Sequence, residues 1–203
     1  MPRISAEREE ATRQRILKAA REVFVEKGLD RASIDDVVTA CGLSVGAIYN
    51  YFPNKDELIR QSIDSAVKDE SAKLLADTQS AGSVSERLDR AIRDWWKYTM
   101  EVPGGPAFLA QAWGAASRQP LIRDLMARRF ERGVTVTSML LHECVDRGEL
   151  PGDLDVDAFA RTLNTLLNGM VLEYVVSGGS LRRADAQNRV RLVMEAALGA
   201  AKT

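Results

Sequence analysis

The stretch "SIDDVVTACGLSVGAIYNYFPNK" (residues 33–55) decides the fold. Ile34, Val37, Val38 and Cys41 recur at i, i+3, i+4 and i+7, the period of a helix with one apolar face. Ser33 precedes that run with Asp36 three residues on, a capping-box arrangement. Gly42 stops the helix in a tight turn, Ser44 caps the next helix, and Pro53 closes it. Helix, glycine turn, short helix is the helix-turn-helix plan, whose second helix lies in the major groove of DNA. Leu43, Ile48 and Phe52 fall on the side that packs against the preceding helices. Val45, Gly46, Ala47, Tyr49, Asn50 and Tyr51 are left on the other side. Gly46 costs about 1 kcal/mol in helix propensity, and the missing side chain lets the backbone approach a duplex closely. Tyrosine hydroxyls and the Asn50 amide can bond phosphates. Valine and alanine touch thymine methyl groups. Lys55, in the first turn of the following helix, adds a charge to free backbone N–H groups, which suits a phosphate. The same spacing also occurs in helical proteins that never meet DNA, where Ser33 and Ser44 are caps and the tyrosines are core residues with a polar tip.

Outward from this stretch the chain reads as helix throughout, with no convincing strand alternation. A first helix covers Ala6 to Lys27, with Ile16, Ala20, Val23 and Phe24 on one face and Gly28 as its stop. Asn54 caps a long helix over 55–79, broken by Ala-Gly-Ser at 81–83. Further helices follow over 83–101, 107–118, 120–147, 155–176 and 183–201, separated by Gly- and Pro-rich breaks. The total is about nine, and no repeat or low-complexity segment interrupts them.

Composition narrows the class without choosing a function. Of 203 residues, 45% are hydrophobic and 28% charged, as in ordinary globular chains. No apolar run approaches the roughly 18 residues of a membrane span, and the polar start is no signal peptide. Cys41 and Cys144 are too few for a disulfide framework, so a cytoplasmic home is expected. Residues 1–55 hold nine Lys/Arg against eight Asp/Glu, so DNA binding must rest on placement rather than bulk charge. An enzyme is not expected: there is one histidine, no Gly-rich phosphate loop and no paired metal motif. His142 and Asp146, four apart, make only two metal ligands, with Cys144 on another face, so a structural histidine is the reading and no metal or cofactor is called for.

The string "ASIDDVVTACGLSVGAIYNYFPNKDEL" (32–58), with "RILKAAREVFVEKGLD" (15–30) before it, closely resembles the N-terminal domain of the tetracycline-repressor (TetR) family. The rest of the chain resembles the family in layout, including Asn168-Gly169 inside the eighth helix. The resemblance implies an all-α transcriptional regulator, usually a repressor. Residues 1–54 would form a three-helix DNA-binding domain and 55–203 a larger ligand-binding and dimerisation domain. A homodimer would bind a palindromic double-stranded operator and leave it on binding a small-molecule effector. Carried over residue by residue, Ser33, Ser44, Tyr49, Asn50, Tyr51 and Lys55 would hold the DNA backbone, and Val45, Gly46 and Ala47 would face bases. Many relatives have a basic or polar residue at the position of Val45 and a histidine at that of Asn50. This chain is therefore expected to lean on thymine methyls and DNA shape. The arm carrying Arg3 and Arg8 either reaches the duplex or frays. A helical protein-binding adaptor without DNA binding is the alternative.

For the C-terminal part, apolar bulk concentrates in the fifth to eighth helices. An effector site is expected among Trp96, Met100, Phe108, Trp113, Met139, His142, Asn168 and Tyr174, with Asn164 and Glu173 as further polar handles, against the alternative of an ordinary core. The eighth helix is apolar nearly all round. The ninth places Val190, Val193, Met194, Ala197 and Leu198 on one stripe, expected to pair with its copy in a four-helix dimer interface.

Overall fold

The computed structural model describes residues 6–64, 82–101 and 104–200. Among them every regular element is helical. Most ends have a local cause. α1 (Ala6–Lys27) leads to α2 (Ile34–Cys41) and α3 (Val45–Tyr51). The capping box at Ser33 forms: its hydroxyl accepts from Asp36 N at 3.2 Å, and Asp36 Oδ2 accepts from Ser33 N at 2.9 Å. Gly42 takes φ 64°, ψ 31°, a left-handed conformation natural to glycine, and turns the chain from α2 into α3. Asn54 caps α4, accepting from Glu57 N at 2.8 Å. α4 spans 55–64 of the described chain; 65–79, expected to continue it, lie outside the described residues, as does Arg3.

α5 (Val84–Trp95) runs into a π-helical turn, Trp96–Met100, where Glu101 N donates to Trp96 O at 3.2 Å. α6 (Gly105–Ala116), α7 (Pro120–Asp146), α8 (Val156–Val176) and α9 (Arg183–Ala200) complete the order. No helix among the described residues is long and apolar enough to cross a membrane.

Packing divides these elements into two units. The first holds α1–α4, α6 and α7 as far as Met126; the second holds α5 with its π turn, α7 from Ala127, α8 and α9. The boundary expected at residue 54 separates by role, whereas packing groups α6 with the N-terminal helices. The reason is aromatic and polar contact: Phe24 and Phe108 stack with centroids 6.2 Å apart, and Gln111 Nε2 donates to Val25 O at 2.5 Å. Around them Ile16, Ile48, Phe52 and Leu58 are sealed from solvent, each contributing about 1.5–3 kcal/mol by burial.

In the second unit the fully buried Arg87 of α5 ion-pairs with Glu149 and lies 3.2 Å from Cys144 Sγ. Burial pushes the Cys144 thiol up to about 11, which keeps it protonated and inert. Arg189 pairs with Glu173 and so fastens α9 to α8. Arg161 forks onto Glu131 with two 2.9 Å bonds, joining α8 to α7.

Candidate DNA interface and candidate effector cavity

α3 is seven residues long, and its two sides differ sharply. Ile48 and the C-cap residue Phe52 are fully buried, which fixes the helix on the unit. Val45 and Tyr49 are 42% and 47% exposed. Gly46 and Asn50 are exposed as well, and a Cβ built on Gly46 would meet nothing within 4 Å. Two i, i+4 pairs, Val45/Tyr49 and Gly46/Asn50, thus lie side by side on one open surface. Ala47 and Tyr51 are half-buried at its margins, the Tyr51 ring 6.4 Å from that of Phe52. The Ser44 hydroxyl caps α3, accepting from Ala47 N at 3.2 Å, and remains exposed. Gly42-Leu43-Ser44-Val45-Gly46 spells the Gly-x-Ser-x-Gly pattern of a nucleophile elbow, yet it joins two helices, with no strand before it, and its serine is a cap. Lys55 is half-buried and donates from Nζ to Asp30 O at 3.0 Å, which holds its ammonium beside the α1–α2 loop.

Electrostatics around this surface are local. α3 carries no charged residue in its first or last turn. Below it, the hydrogen bond from Lys27, reinforced by the backbone and hydroxyl of Ser33, lowers Asp36 from 3.8 to about 2. Asp36 therefore stays ionised and keeps the capping box closed at neutral pH.

The second unit holds a partly open cavity of about 70 Å³ between α5, α7, α8 and α9. Trp95, Phe130 and Leu140 give it an apolar lining, while Arg129, Asn164 and Asn168 bring polar atoms to it. Arg129 Nη1 donates to Asn168 Oδ1 at 3.3 Å, and Asn164 Nδ2 donates to Thr137 Oγ1 at 2.9 Å. The Arg161 guanidinium lies over the Phe130 ring, 5.7 Å from its centroid. Gly133 sits where a Cβ would stand 2.4 Å from Asn164 Oδ1, so only glycine lets the α8 amide approach α7 this closely.

Of the residues expected at an effector site, Asn168 lines this cavity, as does Asn164. Trp96 and Tyr174 meet edge to face at 6.2 Å, and neither they nor Met100 line the cavity; Trp95 does instead. Ordinary helical spacing explains the exchange. Leu88, Ala91, Ile92 and Trp95 fall at i, i+3, i+4 and i+7 on one face of α5, and Trp96, the next residue, is turned about 100° away from that face. Phe108 is committed to the Phe24 stack in the first unit, and Trp113 is half-buried on α6 in that unit. Met139 is 48% exposed and His142 is exposed, both on the outer side of α7. Glu173 is held by Arg189. Arg129 and Gly133 escaped the sequence reading. A glycine inside the helical run "RRFERGVTV" was the available signal for the second.

The residues of the α9 stripe divide by burial. Val190 and Met194 are buried within the chain, and Val190 lines the cavity; Val193 and Ala197 are half-buried, and the Leu198 side chain lies outside the described residues. The apolar residues that point outward are Leu172, Val175 and Val176 on α8 and Leu192 on α9. Periodicity identified the stripe but not whether its neighbour is the same chain or another.

An all-helical protein with an exposed helix-turn-helix and a separate helical unit around a cavity is a DNA-binding regulator in its general plan. Comparison with known proteins supplies the family. Residues 16–61 match the profile of bacterial regulatory proteins of the tetR family, and residues 84–199 match that of the C-terminal region of BetI-type transcriptional repressors. The chain belongs to the TetR family of DNA-binding transcriptional regulators. It is 26% identical over 198 residues to the HTH-type transcriptional regulator SrpR of Pseudomonas putida, covering 94% of this chain and 84% of that one. In fold it matches a transcriptional regulator from Pseudomonas aeruginosa PAO1 (TM-score 0.78, 18% identity, 96% of this chain and 92% of that chain). It also matches FadR of Bacillus subtilis in complex with stearoyl-CoA (TM-score 0.77, 18% identity, 92% and 97%).

Proposed function

We propose that this protein is an effector-released repressor that binds a palindromic operator as a homodimer in the cytoplasm. The observation that carries the reading is the polarity of α3: Ile48 and Phe52 anchor it, and Val45, Gly46, Tyr49 and Asn50 stand open beside one another. In this reading residues 1–54 are the DNA-binding domain. Tyr49, Asn50, Tyr51, Ser33, Ser44 and Lys55 hold phosphates, and Val45, Gly46 and Ala47 lie against base edges. With no charge on α3, affinity comes from hydrogen bonds and shape, and the salt dependence is shallow for a DNA-binding protein. The BetI-type repressor profile over 84–199 supports repression as the mode of action.

Residues 55–203 bind effector and dimerise. The cavity between α5, α7, α8 and α9 receives the effector, as a bound stearoyl-CoA in the Bacillus subtilis neighbour supports for the fold. Leu172, Val175, Val176 and Leu192 form the dimer face, since exposed apolar side chains clustered on adjacent helices mark association surfaces. Two recognition helices about 34–36 Å apart then reach successive major grooves. To empty the operator, effector must favour the non-binding state by roughly 5.5 kcal/mol.

The test is selection of bound DNA from a random pool at two salt concentrations, followed by sizing of the complex. A palindrome with half-sites one helical turn apart, bound by two chains, is expected. Binding with no enriched sequence, or by a single chain, would overturn the reading.

A further inference from the structure

We propose that the cavity is built for a small uncharged molecule carrying a hydroxyl group on a compact apolar body of about one ring. The proposal rests on the cavity being the effector site and names the class of molecule it takes. The apolar side sets the size. The Trp95 and Phe130 rings and the aliphatic side chains of Leu88, Ile92 and Leu140 line a space of about 70 Å³, or about five to seven water positions. That is the room of a single ring or a short branched chain, not of a long acyl chain.

The polar side decides the class. Asn164 and Thr137 both line the cavity and are only 7% and 8% exposed, so their polar atoms must find partners in each other or in what the cavity holds. Asn164 Nδ2 donates to Thr137 Oγ1 at 2.9 Å and to Ala160 O at 3.2 Å. These bonds engage both hydrogens of the amide nitrogen, and the backbone carbonyl, which can only accept, fixes which end of the amide is which. The other end, Oδ1, accepts no hydrogen bond among the described residues. It faces Gly133, also on the cavity wall, where a Cβ would stand 2.4 Å away, so the bare glycine leaves this acceptor uncovered. The Thr137 hydroxyl accepts from Asn164 and makes no bond as a donor among the described residues, so its own hydrogen is available. The buried polar end thus offers an acceptor and a donor joined by a single hydrogen bond. A hydroxyl is the smallest group that meets both, giving its hydrogen to Asn164 Oδ1 and a lone pair to Thr137. A carboxylate has no hydrogen for Oδ1. An ammonium has no lone pair for Thr137, and no carboxylate lines the cavity to balance its charge. Arg129, the charged residue of the wall, is engaged with Asn168 Oδ1 at 3.3 Å, and its presence makes a carboxylate the competitor to measure.

The experiment is calorimetric titration of the full-length protein with four single-ring probes: benzyl alcohol, benzyl methyl ether, benzoate and benzylammonium. Benzyl alcohol is expected to bind about tenfold more tightly than the ether, which accepts from Thr137 but leaves Oδ1 without a donor. Both ions are expected to bind at least about tenfold more weakly than the alcohol. Asn164→Leu should bring alcohol and ether to equal affinity. Thr137→Val should weaken both alike and leave their ratio standing, and Thr137→Ser should restore the affinity. The comparison among probes on the unmodified protein stands even if a variant folds poorly. Equal affinity for alcohol and ether, tightest binding of either ion, absence of benzyl alcohol binding, or an alcohol preference that survives Asn164→Leu would each overturn the proposal. Operator release, measured alongside, separates this from the repressor reading. An ether or ion that binds best and releases DNA sinks the hydroxyl while the effector model stands; benzyl alcohol that binds by the Asn164 rule without releasing DNA does the reverse.

Discussion

α3 and the cavity wall use their side chains in opposite ways. On α3, anchoring and presentation fall on different residues: Ile48 and Phe52 are fully buried, while Val45 and Tyr49 face solvent. In the cavity wall the same residues do both. Trp95 is 6% exposed, holds α5 in the second unit and is also a surface of the cavity. A helix that presents one side can change its outward residues without endangering its fold. A chamber cannot, because each lining residue is also a packing residue. Stability and binding should therefore separate by mutation at α3 and stay coupled around the cavity.

The largest effect is expected where α3 is anchored. Phe52→Ala removes a fully buried ring and should cost about 3–5 kcal/mol in denaturant unfolding, taking DNA binding with it. Trp95→Ala should cost about 2–4 kcal/mol, less than a ring packed on every side, and should weaken binding of whatever molecule releases the protein from DNA, read in the same sample. Retained stability with lost ligand would break the comparison on the cavity side. Ser33→Ala opens the capping box and should lower stability by about 1 kcal/mol. Tyr49→Phe should weaken operator binding by about 1 kcal/mol and leave the unfolding midpoint unchanged. A Tyr49→Phe protein that unfolds earlier would show that α3 does not separate the two tasks.

The smallest effect is an acid-side one. Asp36 titrates at about 2 in the folded protein against an ordinary 3.8. A depressed carboxylate adds stability that is complete above about pH 4 and is lost as pH falls through about 2. Asp36→Asn should flatten that part of the stability profile, read by circular dichroism from pH 6 to 2, and leave its shape near neutrality unchanged.

The helix-turn-helix was legible because its determinants are short-range. Ser33, Gly42, Ser44 and Asn54 act on backbone groups within a few residues, so the string itself carries the geometry. The cavity was legible only as a region. Its α5 wall follows the helical face of Leu88, Ala91, Ile92 and Trp95, while Trp96, the residue expected there, lies one position off that face and meets Tyr174. Phe108 was claimed by Phe24, more than eighty positions earlier in the chain. Arg129 stands in "ARRFER" beside two other arginines, and only its contact with Asn168 of α8 distinguishes it. The α9 stripe was legible as apolar, and Val190 and Met194 of it are buried within the chain, but burial has the same pattern in sequence whether the neighbour is intramolecular or a second copy.

Gly133 gives the chamber a simple dial. A methyl group there would stand 2.4 Å from Asn164 Oδ1, and that amide is tethered at Thr137 and Ala160, so relieving the clash means giving up those bonds or moving a helix. Alanine at this position should destabilise the second unit by about 1–3 kcal/mol, and denaturant unfolding of the altered protein measures the change. The bare α-carbon of Gly133 thereby sets how closely two helices of the second unit meet beside the cavity.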